Sequence, residues 1–126
     1  MKPERDDALC ARYPVIFAQR YWPDTESAMG RGFECGDGWY TLIDALCACL
    51  QHETEYDGAP QVVATQVKSK LGSLRFYTRN ASQRQRAMIA LAGEVSMRMC
   101  EECGAPGEVV KNVRGWISVN CESHRS

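Results

Sequence analysis

The clearest periodic pattern in this chain covers residues 39–53. Apolar side chains recur there every three or four residues, at Trp39, Leu42, Ile43, Leu46, Cys47 and Leu50. This spacing places them on one face of an α-helix, and Asp37 or Gly38 stands where an N-terminal cap is expected. We therefore predict an amphipathic helix that buries this face, with Cys47 as a small core residue.

Two other segments show helical spacing. Residues 4–20 carry an apolar stripe at Leu9, Tyr13, Ile16 and Phe17. Because Pro14 lies inside this stripe, we expect a kink, or a short helix followed by a second one with Pro14 in its first turn. In residues 83–99 apolar positions at helical spacing follow a capping-box pair, Ser82 and Gln85, which predicts a third helix.

Residues 62–68 and 74–78 alternate between apolar and polar side chains. This alternation predicts two strands, and the intervening SKLGS sequence with Gly72 predicts a hairpin loop of moderate length. One face of the first strand is expected to hold Val63, Thr65 and Val67. The polar face of the hairpin is expected to carry Lys68, Arg75 and Tyr77.

The last quarter of the chain contains two pairs of metal-ligating residue types, Cys100 with Cys103 and Cys121 with His124. Two residues separate the members of each pair, so one turn can present both, and four N/S ligands suit a tetrahedral, structural Zn²⁺. Gly104 supplies the positive φ that the first turn needs. Between the pairs we expect two short strands with a turn at Arg114-Gly115, at residues 108–113 and 116–120. The pattern predicts a zinc ribbon.

These elements predict an α+β fold of helices with a β-hairpin and a C-terminal zinc ribbon. The length of 126 residues, 44% of them hydrophobic, suits one domain. We expect residues 1–99 to form its α+β part and residues 100–126 a zinc ribbon integral to the same domain. Seven cysteines, an odd number, argue against a closed disulfide framework. The charged N-terminus and the absence of a long apolar run predict a soluble intracellular protein without a membrane partner.

Charge is unevenly distributed, although the net charge is only −1. Residues 1–57 hold eleven acidic and five basic residues, whereas residues 58–93 hold six basic residues and no acidic one. Such segregation favours a positive face and an acidic face. The alternative is that the two blocks neutralise each other within the domain.

Known catalytic motifs fit the chain poorly. His52 and Glu53 lack the second histidine of a metalloprotease helix, and Met99 stands where a zinc deaminase has proline before its first cysteine. Cys35 lies in a glycine-rich loop beside Asp37, but no histidine near it in sequence could activate its thiol. We predict that the protein is not an enzyme. The catalytic alternative would use Cys35, Asp37 or His52.

Three segments together carry a family resemblance: ECGDGWYTLIDALC at 34–47, QVKSKLGSLRFY at 66–77, and MCEECGAPG at 99–107 with the closing CESH at 121–124. With this CGDGW loop, VKxKxGxLRFY hairpin and C-terminal CxxC…CxxH pair, the chain resembles small phage- and prophage-type zinc-ribbon proteins over roughly residues 33–124. The resemblance implies no particular activity. It implies an accessory phage protein in the cytoplasm of a bacterial host cell, of a kind that often binds host machinery.

We therefore expect a non-enzymatic, zinc-stabilised binding protein that engages a host protein complex and inhibits a host defence system. Charge complementarity would set the specificity and the association rate of such an interface. An acidic version of the interface, able to occupy a nucleic-acid channel of the complex, comprises Asp24, Glu26, Glu34 and Asp37.

The alternative is a nucleic-acid-binding accessory module that uses the basic hairpin and helix over residues 66–86. Basic and aromatic side chains interleave in this segment, and aromatic rings on strands can stack on bases while cations hold phosphates. The residues of this alternative are Lys68, Lys70, Arg75, Tyr77, Arg79, Arg84 and Arg86.

Overall fold

The computed structural model describes residues 1–125 and confirms the α+β class. Its helices are α1 (Pro3–Arg12), α2 (Tyr40–Asp57) and α3 (Gln83–Ser96). Its strands are β1 (Phe33–Glu34), β2 (Val63–Lys70), β3 (Ser73–Arg79), β4 (Glu108–Lys111) and β5 (Ile117–Asn120). Strands β1–β2–β3 form one sheet in that order, with β1 parallel and β3 antiparallel to β2, and β4 pairs with β5 in a second, antiparallel sheet.

Helix α1 ends before Pro14, as expected for a short helix rather than a kinked one. The Tyr13 N–H closes it by donating to the Leu9 carbonyl at 2.9 Å. Residues 14–20 then continue as hydrogen-bonded turns, so the expected second helix does not form. The apolar stripe still enters the core, at Leu9, Ile16 and Phe17.

Helix α2 buries the predicted face but is longer and is capped differently from the prediction. It extends to Asp57, where Gly58 ends it in the left-handed conformation with φ 75°. Neither Asp37 nor Gly38 caps its start, because both belong to a 3₁₀ turn over Asp37–Trp39 that continues directly into α2. The Asp37 carboxylate instead accepts a hydrogen bond from the Lys2 N–H at 2.8 Å.

The predicted β2–β3 hairpin is confirmed, but its loop is shorter than expected. Only Leu71 and Gly72 lie between the strands, and both have positive φ, 53° and 76°. Two consecutive residues with positive φ match the type I′ turn that suits the twist of a hairpin.

The prediction that Val63, Thr65 and Val67 share one face of β2 is wrong because of a bulge at Thr65. An extra residue in one strand reverses the alternation of its side chains beyond that point. Ala64 and Val67 therefore both face the core, whereas Val63 stands opposite Arg79 on the other face.

Helix α3 lies along the outer edge of β3. The predicted capping box of Ser82 and Gln85 is present. The helix ends at Ser96, three residues before the predicted end, and the Ser96 hydroxyl accepts a hydrogen bond from the buried Leu74 N–H at 2.8 Å. This contact satisfies a backbone donor that a further strand would otherwise have to pair.

The hydrophobic core joins the sheet, α2 and the turns after α1. Phe17 meets Phe33 and Phe76 edge-on, with ring centroids 4.9 and 6.2 Å away. Val119 of β5 belongs to the same buried cluster, so the second sheet packs on the core of the first. Within residues 1–125, no helix combines the length and the apolar character that a bilayer-spanning segment requires.

The two-stranded ribbon formed by β4 and β5 is also confirmed, with a longer turn than predicted. The strands end at Lys111 and resume at Ile117. Between them, the Asn112 carboxamide oxygen accepts hydrogen bonds from the N–H groups of Arg114 and Trp116 at 2.9 and 3.0 Å. The side chain of Asn112 thus organises the turn around Gly115, whose φ is 84°.

Candidate functional site

The four predicted metal-ligating side chains converge at the end of the ribbon. Their ligand atoms all lie within 4.8 Å of one another: the Sγ atoms of Cys100, Cys103 and Cys121 and a ring nitrogen of His124. The Cys103 and Cys121 sulfurs are 3.7 Å apart, and Cys100 Sγ lies 3.6 Å from His124 Nδ1. A tetrahedral ion with bonds of about 2.3 Å separates two thiolate ligands by about 3.8 Å. The cluster therefore fits one tetrahedrally bound metal ion.

Two tight turns present these ligands. In the first, the Cys100 N–H donates to the Ala105 carbonyl at 2.8 Å, and the Gly104 N–H donates back to the Cys100 carbonyl at 2.9 Å. Gly104 has φ 79°, as the sequence predicts. In the second, the His124 N–H donates to the Cys121 carbonyl at 3.1 Å, within a 3₁₀ turn over Glu122–His124.

The surroundings of the cluster favour the thiolate forms of Cys100 and Cys121. At Cys103 a backbone hydrogen bond at Ala105 is outweighed by burial and by hydrogen bonds with the other two thiols, which raise the pKa of its thiol. Burial opposes ionisation of the Cys100 thiol, but backbone hydrogen bonds from Cys121, Cys103 and Glu102 outweigh burial and lower its pKa to about 6. The hydrogen bond to His124 lowers the pKa of the Cys121 thiol, and the same contact raises the pKa of the His124 imidazole. Because the thiolate is the metal ligand, this arrangement reduces the cost of deprotonating Cys100 and Cys121 on metal binding.

Glu102 is a neighbour of the candidate metal site that the sequence reasoning missed. His124 turns Nδ1 toward the sulfurs, with Cys121 Sγ at 3.1 Å, and its Nε2 lies 3.4 Å from Glu102 Oε2. A metal-bound imidazole commonly donates its second N–H to a carboxylate, which fixes the ring and raises its basicity. The only sequence signal was that both residues between the two ligands of the first pair, Glu101 and Glu102, are acidic.

The glycine-rich loop over residues 35–39 holds the first metal turn. The Gly38 N–H donates to the Glu101 carbonyl at 2.7 Å. A Cβ at Gly36 would lie 2.1 Å from the Glu101 oxygen, and one at Gly38 would lie 2.0 Å from the Cys100 oxygen. The glycines thus allow two backbones to meet where any side chain would collide.

The residues of the catalytic alternative are Cys35, Asp37 and His52, and each is buried in the fold or contacts other side chains of it. Burial raises the pKa of the Cys35 thiol to about 12, so the nucleophilic thiolate is strongly disfavoured at neutral pH. The Asp37 carboxylate lies 4.0 Å from Lys2 Nζ and 3.9 Å from Arg5 Nε. His52 is exposed on α2 and packs against the Tyr56 ring at 4.7 Å.

Five residues of the predicted nucleic-acid set share one face of the sheet. The β2–β3 register sets Lys68 opposite Arg75, while Leu74 and Phe76 turn to the core. We call the opposite surface the basic sheet face; it comprises Lys68, Lys70, Arg75, Tyr77 and Arg79. Tyr77 is 43% exposed. Within residues 1–125, none of the four cations forms an ion pair with a carboxylate.

The other two members of that set lie elsewhere, on α3. Arg84 pairs with the buried carboxylate of Glu53 on α2 at 2.9 Å. Arg86 donates to the Ala81 carbonyl at 3.2 Å. The predicted set therefore divides into the basic sheet face and two helix residues whose side chains bind other parts of the chain.

The four acidic candidates do not form one patch. Asp37 is held by Lys2 and Arg5, as described above, and Asp24 is exposed in a turn. Two of the candidates border the basic sheet face. Glu34 stands beside Lys68 in the register of β1 and β2, and Glu26 lines a depression with Tyr77 and Arg79.

The two charge blocks neutralise each other very little. The shortest ion pairs of residues 1–57 are internal, Arg12 with Asp44 and Arg20 with Asp6, at 2.7 and 2.8 Å. In the described part of the chain, Arg84 is the only basic residue of residues 58–93 that pairs with an acidic residue of residues 1–57. The positive face expected from the sequence is therefore present on the sheet.

No protein-family model, curated protein or solved structure matches this chain. The resemblance to phage-type zinc-ribbon proteins therefore stays a prediction. What the protein does has to be inferred from the metal centre and the basic sheet face.

Proposed function

We propose that this protein is a zinc-stabilised, non-enzymatic binding module whose basic sheet face binds single-stranded nucleic acid. One observation carries the proposal: four cations that form no ion pair with a carboxylate of residues 1–125 surround an exposed tyrosine on one sheet face. The surface is therefore positively charged and has an aromatic ring within it. Phosphates and bases are the groups that such a combination recognises.

Tyr77 and its neighbours have complementary roles in this proposal. The ring of Tyr77 stacks on a base, which contributes about 1–3 kcal/mol per base in single-strand binders. The cations on either side hold the backbone phosphates and release their counterions. Because stacking tolerates any base, sequence preference is expected to be weak.

Zinc has a structural role in the proposal. Three cysteines and one histidine suit Zn²⁺, and four protein ligands leave no open coordination position for catalysis. The ribbon packs against the tip of the β2–β3 hairpin, where a Cβ at Gly72 would lie 2.8 Å from Val109 Cγ1. The ion thus stabilises the hairpin that carries the basic sheet face.

Fluorescence anisotropy with a labelled oligodeoxythymidine tests the nucleic-acid proposal. If all four cations contact phosphates, the logarithm of the affinity should fall with the logarithm of salt concentration with a slope of about −3. Lys70→Ala should reduce that slope by about 0.7. Lys111→Ala removes an exposed lysine of the ribbon and is the matched control, which should change nothing.

Tyr77 supplies a second, charge-independent test. Tyr77→Ala should weaken binding by at least about fivefold, whereas Tyr77→Phe keeps the ring and should bind like the wild type. Absence of binding at low salt would overturn the proposal, as would equal effects of Lys70→Ala and Lys111→Ala.

Engagement of a host protein complex, as expected from the sequence resemblance, is the second candidate function. Exposed apolar side chains at the hairpin tip and the ribbon turn favour it, since Leu71 is 64% and Trp116 is 71% exposed. Capture of a protein from nuclease-treated bacterial extract by the wild type but not by Trp116→Ala would support it. Tyr56→Ala, on the exposed side of α2, is the control; capture that nuclease abolishes would contradict this candidate.

A further inference from the structure

We infer that Arg75 anchors a phosphate-binding site in the depression between β3 and α3. The Arg75 Nε–H is buried and has no hydrogen-bond partner within residues 1–125. A buried donor without an acceptor is costly and is rare in native proteins. The missing acceptor is therefore expected to come from a bound ligand.

The walls of the depression explain why the ligand should be an anion. It has a volume of about 340 Å³ and lies between Arg75 on β3 and the Gly93 turn of α3. Lys68 stands directly across the ladder from Arg75. Lys68 lies outside the depression, but two like charges facing each other across a ladder are destabilising, and an anion bound to the Arg75 guanidinium offsets that repulsion.

The one carboxylate in the wall does not compete for this role. Glu94 lines the depression, but its carboxylate lies 3.1 Å from Nη1 of Arg98, in the turn that follows α3. Its charge is thus offset by Arg98, and it forms no ion pair with Arg75. The depression keeps its positive character despite this acidic side chain.

The donor set points to a phosphate group. A guanidinium presents N–H donors in a planar fork that matches two oxygens of a phosphate. Ser73 and Tyr77, two residues before and after Arg75 on the same side of β3, also line the depression and add hydroxyl donors. Identification of this phosphate as part of a nucleic-acid strand rests on the proposed function, whereas the site itself does not.

Inorganic phosphate tests the site in the wild-type protein. The Arg75 Nε–H resonance, assigned by its absence in Arg75→Lys, should shift saturably with phosphate and should not shift with chloride at equal ionic strength. An Arg75 resonance that phosphate leaves unmoved overturns the inference. Because this readout uses the wild-type chain, it does not depend on the stability of a variant.

Titration with single-stranded DNA then tests whether the phosphate bound at this site belongs to a nucleic-acid strand. Arg75→Lys keeps the charge but loses the fork, so it should weaken DNA binding about tenfold, while Arg114→Lys, at an exposed position of the ribbon turn outside the basic sheet face, should stay within about twofold. Equal affinities of the two variants would mean that the DNA does not use the site, and the inference of a nucleic-acid phosphate fails. If phosphate shifts the Arg75 resonance but the protein binds no DNA, the anion site is supported and the proposed function is refuted.

Discussion

The indole Nε1 of Trp39 donates a hydrogen bond to the Met99 carbonyl oxygen at 2.9 Å, one residue before the first ligand of the metal centre. Trp39 is fully buried at the start of α2. The Gly38 N–H adds a second bond to the same turn, at the Glu101 carbonyl. The metal centre is thus joined to the core by the residues that begin its longest helix, so its loss should affect the whole domain.

Metal removal should therefore lower the thermal stability of the whole domain. Structural zinc contributes several kcal/mol to folding, which corresponds to a fall of at least about 10 °C in the unfolding midpoint of a chain of this size. Circular dichroism melts before and after chelation, with metal content measured on the same sample, provide the test. Cys121→Ala should lose the ion, and Cys49→Ala, an exposed cysteine outside the cluster, should retain one per chain. An unchanged midpoint after chelation would show that no ion stabilises the fold.

Thiol reactivity should distinguish the buried cysteines from the metal ligands. Burial raises the pKa of the Cys35 thiol to about 12 and that of the Cys10 thiol to about 11, so both should react slowly at neutral pH. Cys47 is fully buried. A colorimetric disulfide reagent should thus find one fast thiol, Cys49, in the metal-loaded protein and additional fast thiols among Cys100, Cys103 and Cys121 after chelation. A fast reaction that Cys35→Ser removes would restore the catalytic alternative.

Glu102→Gln should weaken metal binding without removing a ligand. The carboxylate near His124 Nε2 orients the ring and raises its basicity, and loss of such a partner commonly costs about 10- to 100-fold in affinity. Competition with a chromophoric chelator measures this affinity. Glu122→Gln is the matched control, since Glu122 is exposed between the second pair of ligands. Equal affinities of the two variants would remove Glu102 from the metal centre.

Gly38→Ala should destabilise the fold, because the new methyl group would lie 2.0 Å from the Cys100 carbonyl oxygen. Overpacking of this kind costs about 1–3 kcal/mol. Gly93→Ala is the control: its Cβ meets the Leu74 oxygen at an ordinary 3.6 Å, and alanine favours a helix by about 0.5–1 kcal/mol. Denaturant unfolding should therefore move the two variants in opposite directions. A stability of Gly38→Ala equal to that of the wild type would contradict the close packing of this loop on the metal turn.

Local patterns in the sequence predicted most of the elements and the metal ligands. The periodicity of α2, the capping box at Ser82 and the C-x2-C and C-x2-H spacings each depend on residues close together in the chain. Such signals are readable from the sequence because the same few residues that form the structure also form the pattern.

Features that depend on distant partners were missed. The bulge at Thr65 changes which residues of β2 are buried, and nothing in the alternation of VVATQVK marks it. Gly36 and Gly38 suggested a loop, but their contact with residues 100–101 follows only from the fold. The separation of Arg84 from the basic sheet face likewise depends on Glu53, which is 31 positions away in the sequence.

Titration of the ¹⁵N-labelled protein with oligodeoxythymidine tests the central claim most directly. We expect chemical-shift changes concentrated in residues 66–70 and 73–79, with the largest around Tyr77, and a loss of these changes at high salt. Residues 108–120 of the ribbon should shift little. An unperturbed spectrum at low salt, or changes confined to the ribbon or to α3 around Arg84, would contradict nucleic-acid binding by the basic sheet face.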